Sequence, residues 1–178
     1  MGTASAAARV KLLCGSIAGE DALLEAAAER LALEFGPLEA RSEVWPFEDT
    51  DYYEPEMGPG LRRQWLVFAE PIDPGALADI KTRTNAIEAE WSVAAPGGRR
   101  RRRVNIDPGY LTPAKLVLAT TKDFAHRIYL RDGIYAEVTL NFGRQGCRCC
   151  AWTYPDFRSG RYDAFLLEAR RRLLAAAP

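Results

Sequence analysis

The chain has little of what usually marks metal or redox chemistry. It holds one histidine, His126, and four cysteines, of which Cys14 stands alone while Cys147, Cys149 and Cys150 crowd together. A structural zinc needs four ligands, and the Cys147-x-x-Cys150 spacing has no second pair to complete the set, so the cysteine cluster is expected to be metal-free. A redox dithiol would begin a helix after a strand, whereas these cysteines sit between strand-like segments. The evenly spread cysteines of a secreted scaffold are missing as well, which predicts reduced thiols in a soluble, cytoplasmic, bacterial-type protein. No apolar stretch approaches the roughly 20 residues of a membrane helix, so no membrane partner is expected. Met1–Ala8 lacks a charged start and a long apolar stretch, and Ala6 stands where a myristoylation signal wants Ser or Thr; residues 1–8 are expected to be disordered. An excess of charge is absent too: Lys plus Arg and Asp plus Glu each number 24, so any anionic partner must be met by a local patch. No Walker loop and no Gly-x-Gly-x-x-Gly fingerprint is present, and no motif names a cofactor.

What is there reads as one α+β domain over residues 9–178, since 178 residues with 48% hydrophobic content favour a single core. Arg9–Ile17 predicts a strand. From Glu20, Leu23, Leu24, Ala27, Ala28, Leu31 and Phe35 recur at helical spacing until Gly36-Pro37. Leu38–Phe47 and Leu61–Ala69 predict two further strands. Leu77, Ile80, Thr84, Ile87 and Trp91 then mark a second helix, and Arg102–Ile106 a fourth strand. The order β-α-β-β-α-β predicts a ferredoxin-like core with a mainly antiparallel sheet. Beyond it, Pro113 predicts a helical turn over Thr112–Ala119. Arg131-Asp132-Gly133 predicts a hairpin joining His126–Leu130 to Ile134–Phe142, and Gly160–Ala176 a terminal helix packed on the sheet.

Polar residues concentrate in a few segments. Glu48–Glu56 places five carboxylates with Tyr52 and Tyr53 in nine residues. Asp49 and Asp51 share one side of an extended chain, where both could meet one cation or one sugar hydroxyl; a solvated acidic loop is the plainer reading. Asn105 and Asp107 alternate at the end of the fourth strand, and Pro108-Gly109 is expected to turn the chain there. Tyr110 follows, and Lys115 and Lys122 with Thr120 and Thr121 could hold a phosphate beside a short helix; equally, Asp107 could cap the turn and Lys115 be solvated. His126, beside Arg127, is the side chain whose ordinary pKa suits acid or base work, although a lone histidine is more often structural. Glu137 lies in mid-strand beside Tyr135 and calls for a basic partner. Arg99–Arg103 could meet RNA phosphates, but an edge or solvated turn is favoured.

Three stretches, Asp49–Leu61, Asn105–Lys122 and Trp152–Ser159, resemble the signatures TDYYEPEMGPGL, NIDPGYLTPAKLVLATTK and WTYPDFRS of an uncharacterised bacterial family known only as a domain of unknown function. The resemblance implies a single-domain soluble protein; such proteins are sometimes labelled GTP-binding, although this sequence has no recognisable nucleotide motif. The Arg99–Arg103 run and the Cys147–Cys150 cluster lie outside that pattern. The residues predict a small-molecule site for a phosphorylated or nucleotide-like ligand, formed by Asp49, Asp51, Tyr52, Tyr53, Asn105, Tyr110, Lys115, Lys122, Arg127, Tyr154 and Arg158. His126, Asp107 and Glu137 would be its catalytic groups, with phosphoryl or ester hydrolysis as the reaction. Asp51, Asp107, Lys122, His126, Glu137 and Arg158 are expected to line one concavity. A non-catalytic RNA- or protein-binding module is the second choice.

Overall fold

The computed structural model describes residues 2–176. Its central strand is β1 (Val10–Ala18), buried at all nine positions, which is why this segment reads as a near-continuous apolar run. Lys11 survives in that run because its ammonium reaches Glu39 Oε1 at 3.0 Å. Helix α1 (Asp21–Phe35) buries Leu24, Ala27, Ala28 and Leu31 and stops at Gly36, whose φ of 97° favours glycine. Two short strands follow, β2 (Leu38–Arg41) and β3 (Trp45–Pro46), in place of the single strand expected over Leu38–Phe47. After the one-turn helix α2 (Glu54–Met57) comes β4 (Arg62–Ile72). Helix α3 (Leu77–Glu90) then buries the expected Leu77, Ile80, Thr84 and Ile87, together with Lys81 and Glu88. A small separate hairpin, β5 (Val93–Ala94) and β6 (Arg100–Arg101), leads to β7 (Val104–Leu111) and β8 (Lys115–Thr120). The chain closes with β9 (Ile128–Arg131), β10 (Ile134–Gly143), β11 (Gly146–Cys149), the short α4 (Pro155–Arg158) and α5 (Asp163–Ala175). Of the segment expected to be disordered, Gly2–Ala8 are exposed and belong to no element; Met1 lies outside the described residues.

The main sheet has nine strands in the order β11-β10-β8-β7-β1-β4-β2, with β3 beside β4 and β9 beside β10; its pairings are antiparallel. Helices cover both faces. On one, α1 and α3 pack against Leu12, Cys14, Leu66, Phe68 and Ile106. On the other, α4 and α5 bring Phe157, Tyr162, Leu166 and Ala169 onto Leu13, Trp65, Val67 and Leu118. No helix among the described residues is long and apolar enough to cross a membrane. The expected hairpin is present, with Asp132 (φ 54°) and Gly133 (φ 74°) both left-handed, as a tight twisted turn requires.

Two expectations fail in the middle of the chain. Pro108-Gly109 does not turn the chain; both residues lie inside β7. Proline is tolerated because β8 pairs with β7 only from Gly109 onward, leaving no neighbour on that side to miss its N–H. Nor is Thr112–Ala119 helical. Thr112 Oγ1 accepts from the backbone N–H of Ala114 (3.1 Å) and Lys115 (3.0 Å), closing a turn around Pro113, and Leu116–Ala119 then form a strand buried between β7 and β10. A β-carbon on Gly109 would come within 2.3 Å of the Val117 carbonyl oxygen, which makes glycine necessary at this crossing. Gly109→Ala is therefore expected to lower unfolding free energy by about 1–3 kcal/mol in urea titrations. An unchanged midpoint would show that the two strands are not in close contact there.

Candidate functional site

Strands β7 and β8 stay together only where Gly109–Leu111 face Leu116–Leu118. Beyond that short ladder, Val104–Pro108 follow β1 while Ala119 and Thr120 follow β10, so the sheet splits at one end. The split opens into a cavity of about 580 Å³, in the size range of small-molecule sites. Asn105 and Asp107 line one side and Leu118–Lys122 the other. Lys81 and Asn85 of α3 close one face; Asp49, Tyr52 and Tyr53 of the loop before α2, Arg63 of β4 and the Tyr154–Phe157 turn close the other.

Buried charges organise its walls. Arg63 has the register of Leu61, Trp65 and Val67, so its side chain is drawn under the sheet, where it is 4% exposed. One Nη donates to Asp156 and the other to Asp107 Oδ2 at 2.8 Å, while the guanidinium carbon lies 4.7 Å from the centre of the Phe47 ring. Burial opposes its charge, but Asp156 and Asp107 outweigh it and hold the guanidinium pKa above the ordinary value. On α3, the Lys81 ammonium donates to the Ile106 carbonyl at 2.7 Å, with Glu88 at 3.6 Å and Asp107 Oδ1 at 4.0 Å. Burial raises the Glu88 pKa, with Lys81 and the Ile106 N–H working the other way. Arg102 bridges Glu56 (2.6 Å) and Glu88 (3.5 Å). Burial also raises the Tyr53 and Tyr154 phenols, which keeps both as hydrogen-bond donors at neutral pH.

A second polar group stands behind Tyr154. Glu137, 3% exposed, accepts from Arg127 Nε at 2.7 Å, lies 3.1 Å from His126 Nε2 and accepts from the Tyr154 hydroxyl at 3.3 Å. Arg127 also donates to the Tyr154 oxygen (2.9 Å) and the Lys122 carbonyl (3.0 Å), pinning the turn after β8. Lys122 sits with its ammonium 3.8 Å from the centre of the Tyr52 ring, and no carboxylate lies within 4.0 Å of it among the described residues. The cavity therefore has a fixed, mostly neutralised lining and one loosely held cation at its mouth.

A family model described as a domain of unknown function, DUF4416, matches residues 8–173. The chain belongs to the DUF4416 family. No curated protein and no solved structure matches it at a significant level. Every residue lining the cavity of this DUF4416 chain falls inside the matched span.

Of the side chains singled out from sequence, Asp49, Tyr52, Tyr53, Asn105, Asp107, Lys122, Arg127 and Tyr154 line the cavity. The expectation that Asp51, Asp107, Lys122, His126, Glu137 and Arg158 all line it needs correction. Asp51 faces a separate shallow hollow with Glu54, Pro55 and Pro59, while Asp49 turns to Arg161 at 2.8 Å, so the two do not share a partner. Arg158 folds back onto the carbonyls of Thr153, Cys150 and Ala151. His126 and Glu137 stand outside the lining, with Glu137 joined to it through Arg127 and Tyr154. Lys115 opens β8 at the end remote from Thr120, opposite Asn141, and Tyr110 packs near Leu77 and Ala78. Sequence reasoning missed Arg63, Lys81 and Asp156, and read Arg102 as part of an edge or solvated turn where the structure puts it in the lining. A signal for two of them existed: Lys81 falls in the apolar stripe of α3, and Arg63 on the apolar face of its strand.

The cysteines do other work. Cys147 packs against the core, its thiol pushed up to about 12 by burial, and Cys150 Sγ lies 3.3 Å from the Asn141 amide nitrogen.

Removing the buried guanidinium would strand two carboxylates. Arg63→Met is expected to cost about 3–5 kcal/mol of stability by denaturant titration, and adding Asp156→Leu should recover part of it. A loss below about 1 kcal/mol would mean that the charges are solvated and the wall is not fixed by this pairing.

Proposed function

We propose that the cavity between β7 and β8 binds a phosphorylated or nucleotide-like small molecule in the cytoplasm. The observation that carries this reading is the balance of the lining: Arg63, Lys81, Arg102, Lys122 and Arg127 against Asp49, Asp107 and Asp156. Glu56 and Glu137 neutralise Arg102 and Arg127 from behind, which leaves Lys122, among the described residues, as the lining cation without a carboxylate partner to meet an anionic group entering the mouth. Tyr52, Tyr53 and Tyr154 add ring surface, and Tyr52 and Tyr53 hydroxyl donors, for the rest of the ligand. The scaffold fits a ferredoxin-like plait, in which β7-β1-β4-β2 form the core sheet and α1 and α3 the crossovers, extended on one side by β8–β11. If the ligand is turned over by phosphoryl or ester hydrolysis, Asp107 is the lining carboxylate placed to activate water, held in position by Arg63 and by Asn105 at 3.0 Å.

A thermal-shift series with inorganic phosphate, sugar phosphates and nucleotides tests this. A ligand at a hundredfold excess over its Kd should stabilise the chain by about 2.7 kcal/mol, a rise of several degrees. Because Lys122 is exposed, Lys122→Ala should leave the unliganded melting temperature unchanged and abolish most of the rise. Asp107→Asn should remove turnover while preserving a shift. No response to any phosphorylated compound, or an equal response in Lys122→Ala, would overturn the reading.

A further inference from the structure

Two surface features flank the cavity mouth. On one side, the His126 ring is stacked on Trp152, with centroids 5.0 Å apart and planes 10° off parallel, and it meets Phe124 at 5.3 Å. Phe124 and Trp152 are 65% and 41% exposed. Trp152 and His126 are nonetheless fixed: Trp152 Nε1 donates to the Val138 carbonyl at 2.8 Å, and His126 is held by Glu137. Exposed aromatics held this firmly do not serve the core; they form a preorganised stacking surface.

On the other side stands the β5–β6 hairpin with Arg99–Arg103. Arg102 and Arg103 are paired with Glu56 and Glu20. Arg99, Arg100 and Arg101 are exposed and have no carboxylate within 4.0 Å among the described residues; Arg100 donates to Ser92 and Arg101 to the Glu56 carbonyl. Contacts run unbroken between the two features. Arg102 lies 6.0 Å from the Tyr53 ring, Tyr53 meets Tyr52 at 5.0 Å, Tyr52 carries Lys122, and Arg127 holds the Lys122 carbonyl and shares Glu137 with His126. Cations and rings thus intermingle along this path.

We propose that this surface binds single-stranded nucleic acid, with one nucleotide of the strand entering the cavity. This deepens the reading of the cavity as a phosphate site and rests on it. Phosphates repeating along a strand suit arginines that have no carboxylate beside them, and unpaired bases supply planar faces for Trp152 and Phe124. A duplex hides those faces, so the rings select a single strand.

Fluorescence anisotropy with labelled oligo(dT) and oligo(U) of one to twelve nucleotides tests the proposal. Affinity should rise with length up to about the span of the surface and exceed that for a duplex of the same length. Trp152→Ala should weaken binding roughly fivefold or more, as the loss of one stacked base implies. Replacing Arg99, Arg100 and Arg101 by Ala should reduce the slope of log K against log salt by about 2, from three phosphates at about 0.7 each. Unchanged melting temperatures in these surface variants would exclude misfolding as the cause. If mononucleotides raise the melting temperature but affinity is indifferent to length, the strand proposal fails and the cavity reading stands; if neither mononucleotides nor oligonucleotides bind, the strand proposal fails, and the cavity reading fails with it only if inorganic phosphate and sugar phosphates are also without effect. Binding of anionic lipid vesicles through the arginine hairpin without oligonucleotide binding would also overturn the proposal.

Discussion

A guanidinium taken out of water must keep carboxylates at hand, and the position of Arg63 follows from that requirement. Its partners come from different parts of the chain: Asp107 from β7 and Asp156 from α4, with Tyr162 donating to the same Asp156 oxygen at 3.1 Å. Satisfying this one charge therefore ties β4, β7 and the C-terminal elements into a fixed arrangement. Asp107 faces the cavity because Arg63 holds one of its oxygens while Lys81 lies near the other. The helix on the opposite face repeats the device, with Lys81 anchored on the Ile106 carbonyl and Glu88 on the Ile106 N–H at 2.8 Å.

The opening itself comes from strand pairing. β8 is shared between β7 and β10, and its last residues go with β10, whose pairing with β8 shifts register between Val138 and Leu140. On the β7 edge that this leaves uncovered, Glu88 and Lys81 take the Ile106 N–H and carbonyl, so polar side chains of α3 occupy the place where a neighbouring strand would otherwise have been. Trp152 and Thr153 cover the other exposed stretch of β10 by bonding the Val138 and Thr139 carbonyls, which fixes the turn carrying Tyr154. The cavity and the anchored Tyr154 turn are both consequences of how this one sheet runs out of partners.

Much of the scaffold was legible in the sequence, because helical and strand periodicity are local properties. The apolar stripes of α1 and α3 and the Asp132-Gly133 hairpin are of this kind. The Pro108-Gly109 pair was not, since its usual meaning as a turn is overridden where the strand lacks a neighbour beside the proline and meets a close backbone crossing at the glycine. Thr112–Ala119 misled for a related reason: Leu116–Ala119 suit either period until burial between two strands decides. The acidic and tyrosine-rich loop was recognised, but the division of Asp49 from Asp51 depends on Arg161, 112 residues further on. Arg63 and Lys81 were visible as charges on apolar faces, yet their partners could be assigned only once β7 had been placed between them.

The central claim is that an anion belongs in the β7–β8 opening. Soaking crystals in tungstate, a heavy tetrahedral mimic of phosphate, tests it most directly, because the anomalous signal reports position independently of any assumed reaction. The account predicts a peak inside the cavity within hydrogen-bond reach of Lys122, lost in Lys122→Ala crystals. Density confined to other basic surfaces at saturating tungstate, with the cavity empty, would contradict it.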